Sequence, residues 1–187
     1  KDAPRSMTRA ACLVFFSSLP RLGKRRRTSG EPSTPNRAAF RISVLLHRML
    51  ARFSEPGLKE RLEGWGIRTV HADLLKPDAL AALPDAPNVI FMAARKFGST
   101  GNEAATWAMN TFLPGLVAQR FTKARIVAFS TGNVYPLVPV GSGGCTEQDP
   151  VAPIGEYAQS ALGRERMFQY GSTEHGTPVT ILRLNYA

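Results

Sequence analysis

The chain has 187 residues, 43% hydrophobic and 20% charged, a composition suited to one soluble domain with a real core. No apolar run approaches the ~18 residues that cross a bilayer. The stretch Ala10 to Phe16 follows Lys1, Arg5 and Arg9 but ends in Ser17-Ser18-Leu19-Pro20 without a small-x-small cleavage site, so neither a membrane span nor a secretory signal is expected. Cys12 and Cys145 stand far apart with no CxxC and no histidine cluster, which leaves no zinc or disulfide pattern and suits a reducing, cytoplasmic setting.

The net charge of +10 is unevenly placed. Residues 1–50 carry 11 Lys/Arg against Asp2 and Glu31, whereas residues 51–187 carry 13 against 12 acids and are nearly neutral. The chain therefore divides into a basic segment, 1–50, and a second part, 51–187, with the features of a folded domain. The cluster Gly23-Lys24-Arg25-Arg26-Arg27 has no interleaved aromatic residues, so nucleic acid is not an expected partner.

In chain order, Cys12 to Phe16 is a short apolar strand, and residues 17–41, rich in Ser, Pro and Arg, show neither a helical nor a strand period. Leu58, Leu62 and Trp65 stand at helical spacing behind Pro56, with Gly64 and Gly66 ending that helix. Ile67 to Leu74 reads as a strand, Pro77 to Leu83 as a short helix and Asn88 to Ala94 as a buried strand. A helix from Asn102 to Gln119 is expected to bend near Pro114. Arg125 to Ser130 is the next strand, a Gly/Pro-rich loop covers 136–153, Glu156 to Tyr170 is helical, and Val179 to Leu184 is a strand. Strands alternating with helices predict an α/β fold, a doubly wound parallel sheet of Rossmann type. Such a sheet binds ligands beyond the carboxyl ends of its strands.

Three stretches in that order, Asn88-Val-Ile-Phe-Met-Ala-Ala94, Ser130-Thr-Gly-Asn-Val-Tyr-Pro136 and Tyr157-Ala-Gln-Ser-Ala-Leu-Gly-Arg-Glu165, resemble the extended short-chain dehydrogenases/reductases, the NAD-dependent epimerase/dehydratase family. The resemblance implies an NAD or NADP cofactor and oxidoreductase or isomerase chemistry on a carbonyl or alcohol, with a nucleotide sugar as the substrate type and a homodimer as an allowed assembly. Carried over by motif, Asp73 and Leu74 lie against the adenine, while Met92, Ala93 and Ala94 pass beside the ribose and pyrophosphate. Tyr157 is the acid/base, Thr131 orients the reacting oxygen with Ser130 as the neighbouring alternative, and Asn110 supports the site.

The chain departs from the pattern in three places. The family has Lys four residues after the tyrosine, binding the nicotinamide ribose and placing a cation beside the phenolate; here that residue is Ala161. A phenol at its ordinary value near ~10 is ionised to only about a thousandth at pH 7. Arg164, two helical turns on from Tyr157, is a candidate to reach back over Ala161. No glycine-rich phosphate turn follows the first strand, where only Gly23 matches a family glycine. The acidic residue expected after the second strand is also absent, and Arg48 and Arg52 in its place would favour the 2′-phosphate of NADP.

Val179 to Asn185 resembles the strand that leads into the family's substrate domain, so a fragment without that domain is expected, its first 50 residues divergent or wrongly translated. Two functions follow: an NAD(P)-dependent epimerase, dehydratase or reductase, or a non-catalytic dinucleotide-binding or sensing module, which Ala161 would favour.

Overall fold

Apolar strands of four to seven residues separated by helices assemble into one six-stranded sheet in the order β3-β2-β1-β4-β5-β6. The strands are β1 (Cys12–Phe16), β2 (Arg48–Ala51), β3 (Arg68–His71), β4 (Asn88–Phe91), β5 (Arg125–Thr131) and β6 (Val179–Leu184). The computed structural model describes residues 12–16 (backbone), 48–53, 55–96 and 100–185. The strand order is that of the doubly wound nucleotide-binding fold anticipated from the sequence.

Strand direction adds one feature. β2 and β3 are parallel, as are β4, β5 and β6, but β1 is antiparallel to both its neighbours. Cys12 lies opposite Ala51 at the carboxyl end of β2, and Phe16 lies opposite Asn88 at the start of β4. The chain therefore leaves β1 at the edge away from the carboxyl ends of the other five strands. A parallel β1–β2 pair needs a crossover, usually helical, and residues 17–41 carry no sustained helical period for one.

Register puts the core on one face. Leu50 pairs with Val70, Val89 with Ile126 and Phe91 with Ala128, and these join Leu74, Leu113, Val117 and Phe168 in one cluster. The alternate residues Ile90, Val127 and Phe129 are half-buried, while Leu182 and Leu184 are exposed. Helices α1 (Leu58–Gly64) and α2 (Pro77–Ala81) follow β2 and β3. Next come α3 (Glu103–Trp107), a π-helical turn (Ala108–Phe112) and α4 (Leu113–Arg120) without interruption. The bend expected near Pro114 takes this form: proline has no N–H to give to the carbonyl of Asn110, and the wider turn before it absorbs the mismatch.

The long helix α5 (Gly155–His175) packs across the π turn and α4 through two glycines. A Cβ on Gly163 would meet Thr111 Oγ1 at 2.6 Å, and one on Gly171 would meet the Ala118 Cβ at 2.7 Å. This close approach seats Phe168 edge-on to Phe91, ring centroids 5.1 Å apart. Gly171→Ala is expected to lose about 1–3 kcal/mol of stability through overpacking, in spite of alanine's better helix propensity. Gly115→Ala, whose Cβ would stand 3.4 Å from Met167 Sδ, should instead gain up to about 1 kcal/mol. Urea unfolding of the two variants checks the opposite signs.

Candidate functional site

The parallel strands deliver Ala51, His71, Phe91, Thr131 and Leu184 to one edge of the sheet. Beyond β4 the chain runs through exposed Met92, buried Ala93 and half-buried Ala94 to Arg95 and Lys96. Thr131 is buried at the end of β5, where its hydroxyl accepts from the Asn133 amide at 3.2 Å and caps the short 3-10 turn Gly132–Val134. Tyr157 is half-buried in the first turn of α5.

Asn110 joins these elements. Its carboxamide is fully buried in the π turn and makes four hydrogen bonds. The Oδ1 accepts from the Arg95 amide (2.7 Å) and from Arg164 Nη2 (3.1 Å). The Nδ2 donates to the Arg95 carbonyl (3.0 Å) and to Ser160 Oγ (2.9 Å), and Ser160 donates in turn to the Tyr157 carbonyl (2.9 Å). One side chain thus ties the loop after β4 to the turn of α5 that carries Tyr157.

Arg164 is the cation beneath that turn. Its guanidinium does not lie exposed over Ala161; it is 3% exposed, donates to the Phe129 carbonyl at 2.7 Å and lies 5.7 Å from the centre of the Phe91 ring. Burial pushes it down to about 10, against the pull of negative charge at Tyr157 and Glu165, so it remains a cation at neutral pH. Its buried Nε has no hydrogen-bond partner. Ala161 is itself fully buried.

Ser130 and Thr131 have different surroundings. Ser130 donates to the buried Glu165 carboxylate at 2.5 Å, and Glu165 is gripped by Arg183 from β6 through Nε (3.0 Å) and Nη2 (2.8 Å). Arg183 Nη1 donates to the Tyr135 hydroxyl at 2.6 Å, and its guanidinium stacks 4.8 Å from that ring. The hydrogen-bonded Glu165 carboxylate, with the Tyr135 hydroxyl beside it, holds Arg183 well above the ordinary guanidinium value. Ser130 and Tyr135 are therefore bound into a brace between β5, β6 and α5. Nothing in the local sequence signalled it, because Glu165 and Arg183 are 18 residues apart; the available hint was two charges within stretches that otherwise read as buried.

The adenine-side expectations have a clear placement. Asp73 Oδ1 accepts from the Leu75 amide at 3.2 Å in the turn after β3, while Leu74 is buried in the core. Arg52 follows the carboxyl end of β2, with its Nε buried and unpartnered, whereas Arg48 begins β2 at the opposite edge. Gly23 lies outside the described residues, but β1, the strand before it, ends at the edge away from this site. A cleft of about 600 Å³ opens beside the ends of β5 and β6, lined by Asn133, Tyr135, Ile154, Arg183 and Asn185 among others; Tyr157 and Thr131 do not line it. Among the described residues no group of His, Cys, Asp and Glu could hold a metal ion, and no helix is long and apolar enough to cross a membrane.

Strand order and the placement of these side chains define a dinucleotide-binding type of α/β domain. The model of the NAD-dependent epimerase/dehydratase family matches residues 26–186, and the chain belongs to that family. No match is found among curated proteins. Among solved structures, the fold is shared with a short-chain dehydrogenase/reductase superfamily protein from Agrobacterium tumefaciens with bound NAD (22% identity, TM-score 0.62, 78% of this chain and 43% of that one). RMD from Pseudomonas aeruginosa complexed with NADPH is similar over 62% of this chain and 43% of its own (24% identity, TM-score 0.58). So is DesIV, the dTDP-glucose 4,6-dehydratase of Streptomyces venezuelae with NAD and TYD bound, at 26% identity and TM-score 0.58 over 63% of this chain and 38% of its own. The chain thus spans well under half the length of these relatives.

Arg183→Met leaves the buried Glu165 carboxylate without its cation and is expected to cost about 3–5 kcal/mol, read by urea unfolding at pH 7. The double variant Arg183→Met/Glu165→Met should recover part of that loss.

Proposed function

We propose that the chain is the dinucleotide-binding part of an NAD(P)-dependent epimerase, dehydratase or reductase that acts on a nucleotide-sugar-like carbonyl or alcohol. The observation that carries this reading is the Asn110 clamp, which fixes the first turn of α5, and so Tyr157, against the loop that follows β4.

The nicotinamide end of a dinucleotide suits this edge, where Ala93 and Ala94 keep side chains small and allow close backbone approach. Arg52, beyond β2 with an unpartnered Nε, suits a ribose phosphate. For the pyrophosphate the described residues offer no glycine-rich turn at a helix N-terminus. When bound, the nicotinamide supplies or accepts hydride. The remaining work falls to side chains of this chain: Thr131 Oγ1 hydrogen-bonds the reacting oxygen, and Tyr157 gives it a proton as the phenol or takes one as the phenolate. Asn110 acts through Ser160 as a positioning residue, and Arg164 fixes the Asn110 carboxamide.

Fluorescence titration with NADH and NADPH tests the reading. Saturable binding of at least one is expected, with NADPH the tighter, and Arg52→Ala should weaken NADPH by about tenfold through loss of one charge-assisted contact. Tyr157→Phe should bind the dinucleotide as before. No binding of either form by the unaltered chain would overturn the proposal.

A non-catalytic dinucleotide-sensing role is favoured by one observation, that the helix position one turn past Tyr157 is a fully buried alanine with no charge to offer. Turnover of a nucleotide sugar, lost by about 10²–10⁴-fold in Tyr157→Phe, would separate the two functions in favour of catalysis.

A further inference from the structure

We propose that the amino-terminal edge of the sheet, opposite the candidate site, binds single-stranded nucleic acid, with basic side chains on its phosphates and Trp65 stacked on a base. The five parallel strands all begin at this edge, and three of them begin with arginine: Arg48 on β2, Arg68 on β3 and Arg125 on β5. Arg48 and Arg68 stand directly opposite each other in register, where like charges repel. Among the described residues no acid pairs with either, nor with Arg125 or Lys123. Arg68, Lys123 and Arg125 are exposed, so packing does not account for their placement, whereas a polyanion laid across the strand ends offsets the repulsion. The sequence does not show this row, because the three arginines stand far apart and only the strand order assembles them.

From Arg68 to Arg125 the row crosses four strand spacings, ~19 Å. At the β5 end a cavity of about 440 Å³ opens between the turns that enter β4 and β5, its wall carrying Arg120 and Lys123. Asp85, the acid of that wall, is held by Arg120 at 2.7 Å, and Glu63, at the end of α1, accepts from Thr69 Oγ1 at 2.5 Å. At the β3 end Trp65 caps α1 three residues before Arg68 and is 63% exposed. The fold thus brings to the cationic row the aromatic that the run Gly23-Lys24-Arg25-Arg26-Arg27 lacks. An exposed aromatic ring stacks on unpaired bases, which selects a single strand over a duplex. The guanidinium forks match phosphate oxygens two at a time. An anionic lipid surface would require an apolar face to insert, and around Trp65 the chain offers Gly64, Gly66 and Arg68, with Ile67 buried.

The test is fluorescence anisotropy of a labelled oligo-dT of about twelve nucleotides with the full chain, between about 50 and 200 mM salt. Saturable, salt-sensitive binding is expected. Arg68→Ser/Arg125→Ser should lower the slope of log affinity against log salt by about 1.4, two phosphate contacts at ~0.7 each. Trp65→Ala should weaken binding about tenfold with the slope unchanged, and Trp65→Phe should restore most of it. These residues are exposed, and urea unfolding verifies that the variants keep the fold. Two controls fix the location: Lys76→Ser/Arg166→Ser removes the same charge from exposed positions elsewhere, and Arg25→Ser/Arg26→Ser removes it from the basic run. An unchanged slope in Arg68→Ser/Arg125→Ser, an equal fall in Lys76→Ser/Arg166→Ser, or an unchanged affinity in Trp65→Ala would overturn the proposal. So would binding that is lost in Arg25→Ser/Arg26→Ser alone, or affinity for phosphatidylserine vesicles with none for the oligonucleotide.

Discussion

Asn110 is a neutral side chain sealed from solvent with all its hydrogen-bonding capacity in use, and the geometry of the site depends on it. A buried carboxamide without partners is costly, whereas one that is fully bonded rigidifies whatever it touches. It touches the three elements that matter: the π turn on which it stands, the loop leaving β4 and the α5 turn that carries Tyr157. The π turn is part of the same arrangement, since Pro114 denies the Asn110 carbonyl its usual helical donor and the helix widens there. Arg164 adds a buried cation to the Asn110 oxygen and closes off the underside of the helix.

A second polar unit braces the other side of the edge. Ser130, Glu165, Arg183 and Tyr135 link β5, α5 and β6, and two of them, Tyr135 and Arg183, line the 600 Å³ cleft. Networks of this kind matter little to sheet order, which the apolar register already sets. They fix how far apart the strand ends and the helix start are held, which is the quantity a proton-transfer site is sensitive to. The division of labour is then clear: apolar pairs such as Phe91 with Phe168 hold the helix to the sheet, and buried polar groups set its position along it.

Much of this was legible in the sequence, for a physical reason in each case. The runs in β4, β5 and β6 are apolar along most of their length, and the helices that precede β4 and β5 start close to Pro77 and Asn102 as expected. The direction of β1 was not legible, because an apolar pentapeptide such as Cys12–Phe16 reads the same whichever way it runs. The strands expected to reach Leu74 and Ala94 stop at His71 and Phe91, where the chain leaves the ladder for the loops that form the site edge. Helix α5 extends to His175, five residues past the expected end, with Gly176 in the left-handed conformation as its cap. Ser130 looked like a second candidate for the chemistry because sequence shows a hydroxyl but not its partner, and that partner, Glu165, comes from another element. Arg164 was expected to reach back over Ala161, but its guanidinium goes to a carbonyl on β5 and to Asn110, partners that lie far from it in sequence.

The family's helix lysine is replaced by alanine here, and the Asn110 carboxamide holds both a buried cation, Arg164, and the backbone of Arg95 in the loop leaving β4. That dependence can be measured directly by native-state amide hydrogen exchange in the unaltered chain and in Asn110→Leu. With Asn110 as the clamp, the Arg95 amide, which donates to Oδ1, should lose its protection in the variant while the β5 amides of Val127 and Ala128 keep theirs. An Arg95 amide that exchanges as slowly in Asn110→Leu as in the unaltered chain would contradict the account.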